Sequence, residues 1–200
     1  MIKIKIINIL LIFFVVIGCR EEDPVITKDE SVSIRHTIAG YVQKGPFING
    51  TSITIAELDD SLRATGRSFS TQINDNQGSF GIEDIELISS TFQLSANGFY
   101  FDEVKGEKSA AQLTLGALGS IRENDYTNIN LLSHLTKDRI LYLFQQGKTL
   151  TEAKQQAQRE VLTIFGIEKE EIIDAELLAI TQECEDHEIL IAISKYRYRY

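Results

Sequence analysis

The spacing of apolar residues changes from a period of two to a helical period between residues 119 and 127, and this change constrains the fold more than any other feature. Before it, residues 34–42 are rich in β-branched and aromatic side chains, and residues 53–55 and 92–96 alternate apolar with polar positions. Turn-forming residues separate these segments at Asn49-Gly50, Asn76-Gln77-Gly78 and Lys105-Gly106. Short strands at this spacing predict an antiparallel β-sandwich over residues 32–120.

After the change, residues 121–200 carry apolar residues at the spacing of amphipathic helices. A first helix is predicted within residues 127–146, with an apolar face of Leu131, Leu132, Leu135, Ile140, Leu143 and Phe144. A second helix should begin at Thr149, because Thr149 and Glu152 have the spacing of a capping box, and should end at Gly166. Its buried side is predicted to consist of apolar residues that occur at every fourth position, Ala153, Ala157, Val161 and Phe165.

A third helix is predicted from about Glu170, with an apolar stripe of Ile173, Leu177, Ile180, Cys184 and Ile191. The expected fold class is therefore α+β, an N-terminal antiparallel β-sandwich followed by a C-terminal helical region of about three helices. Only seven residues follow the apolar residues 189–193. We expect the helical region to be truncated, with Ile189, Leu190, Ile191 and Ile193 partly exposed. The alternative is that this stretch packs onto the first two helices.

The first 18 residues have the pattern of a targeting segment. Lys3 and Lys5 precede an apolar run over residues 6–17, which as a helix would be about 18 Å long and too short for a hydrocarbon core of about 30 Å. A signal peptide is therefore favoured over a transmembrane helix. The run ends at Gly18 and Cys19, the pattern of a bacterial lipoprotein signal. Cleavage between them would leave Cys19 as a lipidated first residue that carries palmitate.

Residues 19–31 form a polar segment with few apolar side chains to bury, and we interpret it as a flexible acidic tether. Acidic residues directly after a lipidated cysteine resemble a signal that places lipoproteins on the outer face of the outer membrane; the alternative is a solvated spacer. Removing Lys3 and Lys5 with the signal peptide changes the net charge from −9 to −11. An acidic chain of this kind is a poor ligand for nucleic acid.

No motif in the sequence predicts catalysis, a cofactor or a metal site. Cys184 and His187 could share a helix face, but burial of Cys184 in the core is favoured. Ser133 and His134 are adjacent and cannot face each other on a helix, so a cap or surface role is favoured. Residues 74–78 resemble a calcium loop but lack the bidentate glutamate, which favours a turn with Gly78 at the end of a β-hairpin.

Three consecutive aromatic residues, Phe99, Tyr100 and Phe101, are the best candidates for a ligand site. With Tyr41 and Phe47 they could form a platform on which a sugar stacks. Strand alternation predicts that Phe99 and Phe101 face the core and that Tyr100 faces outward. Tyr100 is therefore the predicted residue for ligand stacking.

Several segments resemble known bacterial proteins. Three resemble the carboxypeptidase-regulatory-like (transthyretin-like) β-sandwich: Gly40-Tyr41-Val42, Gly50-Thr51-Ser52-Ile53-Thr54-Ile55 and Asn76-Gln77-Gly78-Ser79-Phe80. Four more resemble uncharacterised bacterial surface lipoproteins that couple such a sandwich to helices: residues 98–104, 130–135, 152–154 and 164–166. The resemblance implies an extracellular β domain followed by helices, and its motifs carry no catalytic residues.

Together these features predict a lipoprotein of the bacterial cell envelope. Cys19 would anchor it in the outer membrane, on the extracellular face, and its role would be structural or the binding of a protein or glycan. The alternative is the accessory region of a cell-envelope enzyme that acts on glycans.

Overall fold

The computed structural model describes residues 35–102, 105–122, 126–169, 171–180, 186 and 188–196, all within one compact unit, Ser33–Tyr200. The predicted α+β class is confirmed, with strands first and helices after them. The strands are β1 Arg35–Gln43, β2 Ser52–Leu58, β3 Ala64–Gln72, β4 Ser79–Glu86, β5 Thr91–Gly98, β6 Phe101–Asp102, β7 Glu107–Lys108, β8 Leu113–Ser120 and β9 Ile129–Asn130. The helices are α1 Leu131–Gln145, α2 Leu150–Ile164 and α3 Glu188–Tyr196.

Two sheets form the β-sandwich. One is antiparallel, in the order β3-β2-β5-β8; the other has the order β4-β1-β9, in which β9 runs parallel to β1. The alternation of Ile53, Thr54 and Ile55 is reproduced, because both isoleucines are buried and Thr54 is exposed. The core between the sheets is apolar and includes Ile38, Val42, Phe47, Ile53, Ile55, Phe92, Leu94, Leu115 and Ile129.

Strand β8 connects the sandwich to the helices because both of its faces are buried. Leu115 and Ala117 belong to the core of the sandwich. Leu118, on the other face, packs against Ile140 of α1 in a second apolar cluster, which also contains Leu58, Leu143, Ala153 and Ala157. Helix α1 therefore covers the outer face of the β8 strand, and α2 packs against α1.

The predicted helix ends are correct for α2, and α1 begins later than the start of the predicted segment. Thr149 and Glu152 form the expected capping box, and Gly166, just after α2, has φ +68°. Helix α1 begins after Asn130, because the Asn130 side chain accepts the backbone N–H of Ser133 and the Ser133 hydroxyl accepts the backbone N–H of Asn130.

The predicted third helix from Glu170 is wrong. Residues 171–180, called here the 171–180 segment, contain only the 3₁₀ turn Ala175–Leu177, and α3 begins at Glu188. Side chains from elsewhere satisfy the backbone of this segment in place of helical hydrogen bonds. In α2, the Gln158 amide donates to Ile173 O (2.8 Å) and accepts from Ala175 N (2.9 Å).

Three further buried amide side chains hold the 171–180 segment. The Gln43 side chain accepts from Ile180 N at 2.7 Å. Asn128 and Asn130 each donate to Leu178 O, at 3.1 and 3.0 Å, and Asn130 also donates to Ala175 O at 2.6 Å. The segment is therefore fixed to both the sandwich and α2.

The expected exposure of residues 189–193 is also wrong for three of the four residues. Ile189, Leu190 and Ile193 are 7%, 1% and 4% exposed, and Ile191 is half-buried. Ile189, Leu190 and Ile193 pack in a third apolar cluster with Leu132, Val161, Leu162, Ala175 and Leu178.

Gly78 has the predicted left-handed conformation, with φ +85°, but it does not end a hairpin. It lies between β3 and β4, which belong to different sheets. The Asp75 carboxylate fixes this turn by accepting the N–H groups of Gln77, Gly78 and Ser79 at 2.9–3.2 Å. Burial would raise the pKa of Asp75, but these bonds and the Ser79 hydroxyl hold it below its ordinary value.

Candidate functional site

The aromatic residues predicted to form a platform lie between the end of β5 and the start of β6. The alternation of inward and outward side chains does not continue there. Phe101 is 41% exposed, whereas Tyr100 is half-buried and packs against Phe47 with ring centroids 5.8 Å apart. The predicted inward side of Phe101 and the predicted outward side of Tyr100 are therefore both wrong, since Tyr100 packs against the core of the sandwich. The cause is a change of partner: Phe101 N donates to Pro46 O, and Ile48 N donates to Phe99 O.

Two lysines lie over the aromatic rings. Lys44 Nζ is 4.8 Å from the centroid of Tyr100, and Lys108 Nζ is 3.9 Å from the centroid of Phe99. Both distances are within the range of cation–π attraction. Strand β7 places Lys108 directly opposite Phe101, so these two side chains lie on the same face of the β6–β7 hairpin.

The β6–β7 turn is held by Asp102, which is itself buried. Its carboxylate accepts Lys105 N at 3.2 Å, and its carbonyl oxygen accepts Gly106 N at 2.7 Å. Gly106 has φ +71°, a conformation that glycine adopts without strain. The turn thereby presents Lys105, an exposed residue, at the tip of the hairpin.

A depression of about 280 Å³ lies between this hairpin and residues 109–113. The lining side chains include Tyr100, Asp102, Lys105, Glu107, Lys108 and Leu113. Ser109 fixes the far side, because its hydroxyl accepts Tyr100 N at 3.2 Å and donates to Ala111 O at 2.9 Å. The depression thus combines an aromatic ring with ammonium and carboxylate groups.

Tyr100 therefore lines the depression, although its ring is partly covered by Phe47 and Lys44, and its stacking role stays a prediction. The sequence predicts Phe101 on the core side and gives no role to Lys108. It predicts Lys105 only as part of the turn Lys105-Gly106.

The other residues singled out in the sequence do not form a site in the described part of the chain. The Ser133 hydroxyl caps α1, as predicted. His134 Nδ1 is buried and has no hydrogen-bond partner among the described residues, and burial together with Lys137 lowers the pKa of His134. Gly18, Cys19, Cys184 and His187 lie outside the described residues.

A second depression of about 420 Å³ lies between α2 and the 171–180 segment, lined by Gln155, Gln158, Arg159, Glu171, Ile172 and Asp174. Gln158 is already bonded to the backbone of that segment, so this surface belongs to the packing of the helices. Within the described ranges, no three His, Cys, Asp or Glu side chains lie close enough to hold a metal ion. None of the helices described is long and apolar enough to span a bilayer.

Comparison of the chain with protein-family models, with curated proteins and with solved structures finds no match.

Proposed function

We propose that this protein is a bacterial outer-membrane lipoprotein that is anchored through Cys19, faces the cell exterior and binds a ligand in the depression beside Tyr100. The observation that carries the proposal is the short apolar run ending at Gly18-Cys19. Two acyl chains on Cys19 would give stable anchoring, since each buried methylene contributes about 0.8 kcal/mol. The acidic residues 20–30 support placement on the outer face.

Anchoring is tested by growing cells with an alkyne analogue of palmitate and comparing two variants. Cys19→Ser should lose the label and leave the membrane fraction or remain unprocessed. Cys184→Ser, which changes the only other cysteine, should keep both the label and the location. A Cys19→Ser protein that is still cleaved at Gly18 and still membrane-bound would disprove lipid anchoring.

Orientation is tested by adding proteinase K to intact cells. The lipoprotein should be digested while a periplasmic protein survives. Replacing Glu21, Glu22 and Asp23 with their amides should protect the protein from digestion without changing its lipidation. Equal digestion of this variant would remove the tether as a surface signal.

A binding role is favoured over the glycan-active alternative by the carboxylates near the depression. Glycoside hydrolysis uses two carboxyl groups about 5–10 Å apart on either side of the scissile bond. Asp102 is instead buried, and its carboxylate accepts Lys105 N and holds the turn, so it is not placed to act as one of two such carboxyl groups.

A further inference from the structure

Strand β3 forms one edge of the four-stranded sheet, because β2 is its only paired neighbour among the described strands. The hydrogen bonds between the two strands show which backbone groups of β3 point away from β2. Ile73 N donates to Thr51 O at 3.0 Å, which continues the register of the two strands. Hydrogen-bonded pairs alternate with non-bonded pairs along an antiparallel ladder. Ser68, Ser70 and Gln72 therefore direct their backbone N–H and C=O groups outward.

The inward-facing side chains of β3 contact the rest of the sandwich without covering this edge. Phe69 packs against the apolar core. On the same face, the Thr71 hydroxyl donates to Gly81 O of β4 at 2.9 Å, and the Arg67 guanidinium donates to Glu86 O of the same strand. Strand β4 therefore lies on the inner side of β3, and these contacts leave the outer edge of β3 uncovered.

This edge lacks the features that commonly prevent edge strands from pairing with other chains. Such strands are protected by a very short length, by proline or lysine, or by a bulge. Strand β3 has nine residues and contains no proline, lysine or acidic residue. Its one charged side chain, Arg67, is bonded to Glu86 O. The irregular pairing with β2 lies between Ala64 and Ser68. Residues 68–72 are therefore a regular strand with which a further strand can pair.

We propose that a second copy of this chain pairs with this edge, so that the two β3 strands run antiparallel about a two-fold axis at Ser70. A two-fold contact requires a surface that is complementary to itself. The outward groups meet this requirement, because Ser68 of each copy lies opposite Gln72 of the other and Ser70 lies opposite its own counterpart. About six backbone hydrogen bonds form in this way. The exposed side chains that face each other are uncharged, so no like charges are directly opposite.

The pairing is tested by cysteine cross-linking of the full chain, purified in a non-ionic detergent, with Cys184→Ser in every variant. Ser70→Cys should form a disulfide-linked dimer on oxidation, because Cα atoms of a hydrogen-bonded antiparallel pair are about 5.5 Å apart, within disulfide reach. Thr54→Cys is the matched control, since Thr54 is exposed and lies beside Ser70 on the neighbouring strand β2. Its counterpart would be roughly 14 Å away, so it should not cross-link. A link through Cys19 would appear equally in both variants.

Sedimentation velocity over a range of protein concentrations tests whether the backbone of β3 makes the contact. Ser70→Pro removes an outward N–H from both copies and should weaken the dimer about tenfold, whereas Ser70→Ala keeps this N–H and should leave the dimer unchanged. Proline is tolerated on an edge strand where the N–H faces solvent. Urea denaturation checks that each variant folds. Ser70→Lys, which puts like charges opposite each other at an exposed position, should also weaken the dimer and serves if the proline variant does not fold.

Selective cross-linking of Ser70→Cys, with loss of the dimer in Ser70→Pro or Ser70→Lys and not in Ser70→Ala, supports the proposal. A Ser70→Cys protein that stays monomeric on oxidation would overturn it, and so would equal cross-linking of Thr54→Cys. Unchanged dimerisation in the folded Ser70→Pro and Ser70→Lys variants would show that copies associate elsewhere and would also overturn it. None of these outcomes depends on lipidation of Cys19 or on the depression beside Tyr100.

Discussion

Two buried glutamates, one in the sandwich and one in the 171–180 segment, have pKa values displaced in opposite directions. The Glu57 carboxylate accepts the N–H groups of Ile88 and Ser89 and the Thr65 hydroxyl, and Arg67 lies 3.6 Å away. Burial alone would raise the pKa of Glu57, but these donors together lower it. Glu57 thereby ties the β4–β5 connection to β2.

Glu176 lies in the 3₁₀ turn, and its burial raises its pKa although Lys154 Nζ is 2.5 Å from its carboxylate. Lys154, buried in α2, is also 3.5 Å from Asp174. Glu57 is held by backbone N–H groups and a hydroxyl, whereas Glu176 is more deeply buried and depends on a cation that must itself be taken out of water.

The comparison is tested most strongly by Lys154→Met, which leaves Glu176 and Asp174 without this cation. We expect a loss of about 3–5 kcal/mol in the free energy of unfolding at neutral pH, because a buried charge loses its counter-ion. Urea denaturation measures the loss. The control is Lys154→Met with Glu176→Leu, which should recover most of the stability. A double variant no better than the single one would mean that Lys154 acts through packing of its aliphatic stem.

In the sandwich, Gly78→Val tests the turn between β3 and β4, in which the Asp75 carboxylate accepts backbone N–H groups. It should lower the free energy of unfolding by on the order of 1–3 kcal/mol, because φ is +85° and an added Cβ would lie 2.5 Å from Val42 O. Gly50→Val is the matched control, since Gly50 has φ +87° but no atom within 4 Å of the added Cβ. Equal losses in both variants would assign the whole effect to backbone strain.

The smallest expected effect is on the pH dependence of the free energy of unfolding, to which the two glutamates contribute in opposite directions. The pKa of Glu57 is lowered on folding, so its contribution is present above about pH 5 and is lost as the pH falls. The pKa of Glu176 is raised on folding, so acidification favours the folded state at that position, where Lys154 and Asp174 are the charged neighbours.

Glu57→Gln should therefore cost on the order of 1–2 kcal/mol at pH 7 and should flatten the acid side of the stability profile. In Glu176→Gln, the free energy of unfolding should fall less, as the pH rises, than it does in the parent protein. Denaturant titrations of the full chain from acidic to neutral pH measure both profiles. Changes of the same sign in the two variants would contradict the opposite pKa directions.

Features that depend on residues close together in the chain could be predicted from the sequence. The alternation of residues 53–55, the Thr149–Glu152 capping box and the left-handed Gly78 each follow from the conformational preferences of a few neighbouring residues. The Lys105-Gly106 turn and the aromatic residues 99–101 are visible in the sequence for the same reason, but the lysines that contact their rings are not. The rings and lysines meet there because residues 99–101 bond to residues 46–48, far away in the sequence.

The sequence by itself determined the α+β class, the segments that form β1, β2 and β5, and the first two helices, because periodicity and capping act over a few residues. Only the tertiary structure decided the parallel pairing of β9 with β1 and the non-helical path of the 171–180 segment. That segment has an apolar spacing compatible with a helix. Asn130, 48 residues from Leu178, and Gln158 satisfy its backbone instead, because buried amides and carbonyls must be bonded by whichever group the fold brings near.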